Sequence, residues 1–190
     1  MAHEKTRLSR ASVYVRSRKN KEALQLLFLE IWNIYYRRLT VFTRRMSLPP
    51  EDVDDAVQEI MLKIYANLAK YKTQYAVSTW IYTIARNHCY DKLQKERTRA
   101  KVFTDNGRID PVSHYLRPDE VLLKTETENW VKSFIGSLSL QDQQIAFLRF
   151  YEELSYKEIS SILKIPVGTA KYKIHCMRKE LQDCREKDGV

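Results

Sequence analysis

The 190-residue chain has only four glycines and five prolines, and it lacks the alternating β-branched runs that a half-buried strand needs. A sheet-based fold is thereby set aside, and an all-α one remains. The three cysteines, Cys89, Cys176 and Cys184, have no CxxC spacing, so neither a disulfide framework nor a zinc site is indicated. His88 with Cys89 and His175 with Cys176 are adjacent pairs. Neighbours on a helix point about 100° apart and do not converge on one metal. There is no long apolar run, and no signal-peptide pattern follows Met1. The expectation is a chain that does not insert into a membrane by itself, is not exported by that route and works in a reducing cytoplasm. Also missing are a phosphate-cradling glycine loop, a set of metal-binding carboxylates and a nucleophile with its base. We therefore expect no catalytic activity, no metal and no cofactor.

What is present is helix periodicity and positive charge. Thirty-three Lys and Arg against 24 acidic residues give a net charge of +9, which fits a polyanionic partner. The excess is uneven. Residues 1–50 carry eleven basic residues against three acidic ones, whereas residues 51–96 carry six against seven. After a basic segment over residues 1–20, expected to fray, a helix is predicted from about Glu22 to Arg45, with Leu24, Leu27, Phe28, Ile31, Ile34, Tyr35 and Leu39 inward. Glu51, Asp52, Asp54 and Asp55 then place negative charge where a helix dipole favours it. That second helix is predicted to run to about Tyr71, burying Val53, Ala56, Val57, Ile60, Met61, Ile64, Tyr65 and Leu68. It leaves Asp54, Asp55, Gln58 and Glu59 outside.

A polar loop, Lys72 to Ser78, leads to a third helix predicted from Thr79 to about Arg97. Trp80, Ile81, Ile84, Ala85, His88 and Leu93 form its apolar stripe. The rings of Tyr71, Tyr75 and Tyr82 are expected beside Lys72, Arg86, Asn87, Asp91 and Lys92, which is what unstacked bases require. Periodicity fails from Arg97 to about Lys124, where Gly107, Pro111 and Pro118 fall among scattered charges. The expected division is a domain over residues 1–96, a flexible linker over 97–124 and a second domain over 125–190. The second domain is expected to open with a helix from about Glu120 to Ser137, followed by one capped by Ser139 and Asp142 with Ile145, Leu148 and Tyr151 inward.

Leu154 to Leu181 then has the pattern of a helix-turn-helix. Ser155 with Glu158 is a capping box, and Ile159, Ile162 and Leu163 give one apolar face. Pro166 and Gly168 are expected to form the turn. Val167, Ala170, Ile174, Met177 and Leu181 recur at helical spacing beyond it. The opposite arc holds Thr169, Tyr172, His175, Cys176 and Lys179, flanked by Lys171, Lys173 and Arg178. Such an arc suits a major groove, with side chains on base edges and cations on phosphates.

Taken together, DDAVQEIMLKIY (Asp54 to Tyr65), STWIYTIARNHCYDKLQKERTR (Ser78 to Arg99) and the helix-turn-helix resemble, in that order, the extracytoplasmic-function (ECF) group of bacterial RNA polymerase sigma factors. The resemblance implies a promoter-specificity subunit with two small helical domains, sigma regions 2 and 4. It implies as partners core RNA polymerase, promoter DNA and an anti-sigma factor. By position it implies polymerase docking through Asp54, Asp55, Gln58 and Glu59, and capture of the −10 strand by Tyr71, Lys72, Tyr75, Ser78, Arg86, Asn87 and Asp91. It further implies −35 contacts by Arg149, Tyr156, Gly168, Thr169, Lys171, Tyr172, Lys173, His175, Arg178 and Lys179. Ala170, Tyr172 and Cys176 depart from the family's usual residues, so the −35 sequence is not implied. The alternative is a stand-alone helix-turn-helix transcriptional regulator, which leaves the acidic docking helix and the Tyr71 to Asn87 constellation without a purpose.

Overall fold

A computed structural model describes residues 21–72, 76–103 and 133–188. Among them all regular structure is helical. Tyr75, the basic segment 1–20, most of the expected linker and most of the helix expected from Glu120 lie outside the described residues.

Helix α1 (Lys21–Arg44) buries Ala23, Leu27, Ile31, Tyr35, Leu39 and Phe42 along one stripe. It ends in a turn where Ser47 takes a left-handed φ of 61°, and Pro50 starts a 3-10 turn, Pro50–Asp52. Helix α2 (Val53–Asn67) follows with Asp54 and Asp55 in its first turn, where the partial positive charge of the helix end stabilises them. Its buried face is the expected one except at Tyr65. That ring is exposed and rests edge-on against Phe28, 4.9 Å away, at the rim of the α1–α2 seam.

Helix α3 (Val77–Phe103) is longer at its carboxyl end than expected. No glycine or proline occurs between Val77 and Gly107, and the charged side chains scattered there are good helix formers. Lys92 ties this helix to the start of α2 through Asp52 at 3.0 Å.

In the second half, residues 133–137 are helical and helix α4 (Leu140–Ala146) is capped by the Ser139 hydroxyl, which accepts from the Asp142 N–H. The chain then makes a π-helical turn, Phe147–Tyr151, closed by Glu152 N–H donating to the Phe147 carbonyl at 3.1 Å. The wider turn shifts the helical register. Phe147 and Leu148 are buried, whereas Tyr151, expected inward, is exposed.

Helix α5 (Tyr156–Leu163) starts with the complete Ser155–Glu158 capping box. Its end differs from expectation: Lys164 supplies the left-handed residue, with φ 55°, and Gly168 already lies inside helix α6 (Val167–Asp188). A Cβ on Gly168 would meet nothing within 4 Å, so the turn does not depend on that glycine.

The two halves, expected to flank a linker, pack directly on each other. The Phe147 ring lies 6.0 Å from both Phe42 and Tyr82. Arg38 pairs with Glu152 at 3.4 Å, and Gln144 donates to the Arg45 carbonyl at 2.6 Å. Apolar burial therefore runs without interruption from α1 to α6.

Candidate functional site

Three polar faces stand out on this frame. The first is on α2, where Asp54, Asp55, Gln58 and Glu59 are all exposed, since they occupy the arc opposite Val53, Ala56, Val57 and Ile60. Glu59 also reaches α3: its carboxylate is 3.5 Å from His88 Nε2, while Lys63 Nζ is 2.8 Å from His88 Nδ1.

Burial and the Lys63 ammonium, with a smaller contribution from Lys92, hold His88 below its ordinary value of 6.5, against the pull of Glu59 and Asp91. The unfolded chain then takes up a proton at a higher pH than the fold does. Stability is therefore lost as pH falls below about 6.5, until the folded imidazole also titrates. Urea midpoints measured from pH 7.5 to 5 should fall in the native chain and fall less in His88→Gln. An identical pH slope in the variant would contradict this account of the imidazole.

The second face lies on α3. Asn87 is half-buried, and its amide oxygen accepts from Arg86 at 3.3 Å. The Arg86 guanidinium lies 4.0 Å above the Tyr90 ring. Lys72 and Asp91 are exposed, and Ser78 is half-buried near the start of the helix.

The tyrosines are arranged differently from the expectation. Tyr82 is fully buried, edge-on to Tyr35 and Phe42. Its hydroxyl is pushed well above the usual phenol range by burial and then by the Glu152 carboxylate. It is a core residue, because it shares the inward arc with Ile81 and Ala85. Tyr71 is also buried, with its ring 5.1 Å from Trp80 and its pKa raised by that burial. Among the described side chains of α3 the exposed ring is Tyr90, which was not among the expected contacts. Its spacing of four from Arg86 was the available signal, since residues four apart on a helix meet.

The third face is the outer side of α6. Lys171, Tyr172, His175, Arg178 and Lys179 are exposed, and Thr169 is half-buried at the amino-terminal end. Tyr172, 68% exposed, is the most exposed ring among the described residues, and the neighbouring Cys176 thiol raises its pKa. Two expected contacts are engaged within the fold. Lys173 Nζ is held by Asp142 at 2.6 Å, and Arg149 donates to the Leu154 carbonyl at 2.9 Å beneath the Tyr156 ring. Arg149 and Tyr156 thus brace the loop into α5. Lys171 adds its ammonium 6.0 Å from the same ring.

A basic helix-turn-helix joined to a helical unit that bears one acidic and one amide-and-aromatic face has the outline of a DNA-binding protein. Residues 31–99 match the family model for Sigma-70 region 2, and residues 128–181 match that for Sigma-70 region 4. The chain is 30% identical over 146 residues to the ECF RNA polymerase sigma-E factor of Escherichia coli, covering 72% of this chain and 75% of that relative. It is 27% identical over 179 residues to the ECF RNA polymerase sigma factor SigW of Bacillus subtilis, covering 88% of this chain and 96% of that relative. Its fold is similar to that of the sigma factor RpoE from Bartonella quintana, solved in complex with the anti-sigma factor NepR. The TM-score is 0.62 at 22% identity, over 82% of this chain and 94% of that one. The chain belongs to the ECF group of RNA polymerase sigma factors, and it acts in transcription initiation. No helix among the described residues is long and apolar enough to cross a membrane.

Proposed function

We propose that the three faces divide the work of a sigma factor. The acidic arc of α2 docks on core RNA polymerase, the outer side of α3 captures the −10 non-template strand, and α6 enters the −35 major groove. The corresponding division of the chain is a region 2 domain over residues 1–96, a connecting segment over 97–124 and a region 4 domain over 125–190. The protein works in the cytoplasm, without catalytic activity of its own. An anti-sigma factor is its regulatory partner, by analogy with the complex in which the Bartonella quintana sigma factor was solved. At the −10 face Asn87 reads a base edge, with the exposed Tyr90 ring beside it as a flat surface on which a base can stack, and the buried Arg86 bracing both from within.

The observation that carries this reading is the exposed row Asp54, Asp55, Gln58 and Glu59, a pre-formed acidic surface that a stand-alone DNA binder has no use for. Opposite charges across such an interface set orientation and association rate. The double variant Asp55→Lys, Glu59→Lys is expected to weaken binding to core polymerase about tenfold or more, an energy of roughly 1.4 kcal/mol, with an unchanged circular dichroism spectrum. Both sites are exposed, so the fold itself should tolerate the change. Undiminished co-purification of a well-folded double variant with core enzyme would remove α2 from the docking role.

A further inference from the structure

His88 follows Ile81, Ile84 and Ala85 at helical spacing on the inward side of α3, and its side chain is only 5% exposed. An imidazole buried there has to find its polar partners within the protein. They come from α2: Lys63 Nζ lies 2.8 Å from Nδ1, and a Glu59 carboxylate oxygen lies 3.5 Å from Nε2. An ammonium has donors only, so Nδ1 accepts from it and the ring proton sits on Nε2, facing Glu59. The lowered pKa of His88 keeps the ring neutral near pH 7 and Nδ1 able to accept.

Glu59 and Lys63 stand four residues apart on α2 with the acid on the amino-terminal side. That is the arrangement in which two opposite charges pair best along a helix. On α2 alone, the pairing would set a cation against the last carboxylate of the row Asp54, Asp55, Gln58 and Glu59. In the fold, Lys63 is turned across the α2–α3 seam onto His88. Lys92, the other cation near the imidazole, is engaged by Asp52 at 3.0 Å. Asp91, exposed on α3, completes the charged groups around the ring. The Glu59 side chain, 58% exposed, thereby keeps its carboxylate open to a partner.

We infer that His88 is a positioning residue for polymerase docking: by accepting a hydrogen bond from Lys63 it holds that ammonium away from Glu59 and leaves the acidic row of α2 its negative charge. The inference rests on the assignment of that row as the docking surface. With an apolar side chain at position 88, Lys63 falls back along α2 onto Glu59 and neutralises it. Association with a basic partner surface then slows, because charges at an interface act first on the rate of encounter.

The test measures binding of the full-length protein to core RNA polymerase, in variants whose circular dichroism matches the parent. His88→Leu is expected to lower affinity about fivefold, chiefly through the association rate. The deficit should shrink at high salt, where exposed charges are screened. His88→Asn keeps an acceptor oxygen near the Nδ1 position and should bind like the parent. Lys63→Met removes the competing cation, so it should bind at least as well as the parent, and adding His88→Leu to it should cost nothing further. His88→Ala, which adds no bulk to the seam, repeats the measurement if leucine is not accommodated. Parental binding by these folded variants of His88 overturns the inference. So does a deficit that persists in the Lys63→Met background or is equal at low and high salt, since His88 then acts on the fold alone. The Asp55→Lys, Glu59→Lys pair is measured alongside. If that pair binds undiminished, the docking role of α2 fails and the inference with it; if it binds weakly while His88→Leu binds normally, only the role of His88 is removed.

Discussion

Asn87→Ala is expected to retain core-polymerase binding and −35 duplex binding and to lose open-complex formation. Taking a base out of the stack costs a few kcal/mol, recovered by stacking and by hydrogen bonds to the base edge. Asn87 is suited to supply those bonds, with one amide acceptor and two donors on a half-exposed part of α3, and Arg86 already holds the amide by its oxygen. A good base-edge pair is worth about 1–3 kcal/mol, so open-complex occupancy should fall by roughly one to two orders of magnitude. Permanganate-reactive thymines around the start site report it directly. A template already mismatched across the −10 region should rescue the variant only in part, because melting is bypassed while capture remains impaired. Wild-type reactivity on a linear promoter would remove Asn87 from the site.

The second large effect concerns α6, where affinity and specificity are expected to separate. Arg178 is exposed, lies over the Phe150 ring and is free of the Asp142 tie that engages Lys173. Arg178→Ala should weaken binding by a similar factor on all −35 sequences and lower the salt dependence by about one counterion. Tyr172 is the most exposed ring on the helix, one turn from Cys176. Tyr172→Ser should instead change which −35 sequences are selected, with a discrimination of about 1–3 kcal/mol at the affected base pair. Selection from a randomised promoter library distinguishes the two outcomes. One and the same motif from wild type and Tyr172→Ser would exclude base contact by this residue.

The helices and their inward stripes were legible because burial follows a 3.6-residue period that sequence displays directly. Leu27, Ile31, Tyr35 and Leu39 on α1, and Ile60, Met61 and Ile64 on α2, are buried as that period requires. The capping box at Ser155 and Glu158 was legible for a similar reason, since both partners lie within one turn. Three kinds of feature were not. The π turn at Phe147–Tyr151 moves Tyr151 outward by one inserted residue, and no local composition marks it. The left-handed turn falls on Lys164 and not on Gly168, because a helix end can force a non-glycine residue into that region at modest cost.

Long-range packing was the third. Tyr82 and Tyr71 belong to a face where tyrosine looks equally suited to solvent and core, and only the arrival of Phe147, Glu152 and Trp80 decides the matter. The proposed −10 face therefore carries Tyr90 where Tyr82 was expected, with Arg86 and Asn87 beside it. The contact between the halves was invisible in the sequence for the same reason. Arg38 and Glu152 are 114 residues apart.

The most direct test of the account is run-off transcription by purified bacterial core RNA polymerase on a library of genomic fragments, with and without this protein, followed by mapping of transcript starts. The account predicts discrete new starts that depend on the protein, share upstream −35 and −10 motifs, and disappear with Asn87→Ala and with the Asp55→Lys, Glu59→Lys pair. Binding to duplex DNA without any protein-dependent start, at protein concentrations that saturate core polymerase, would contradict it.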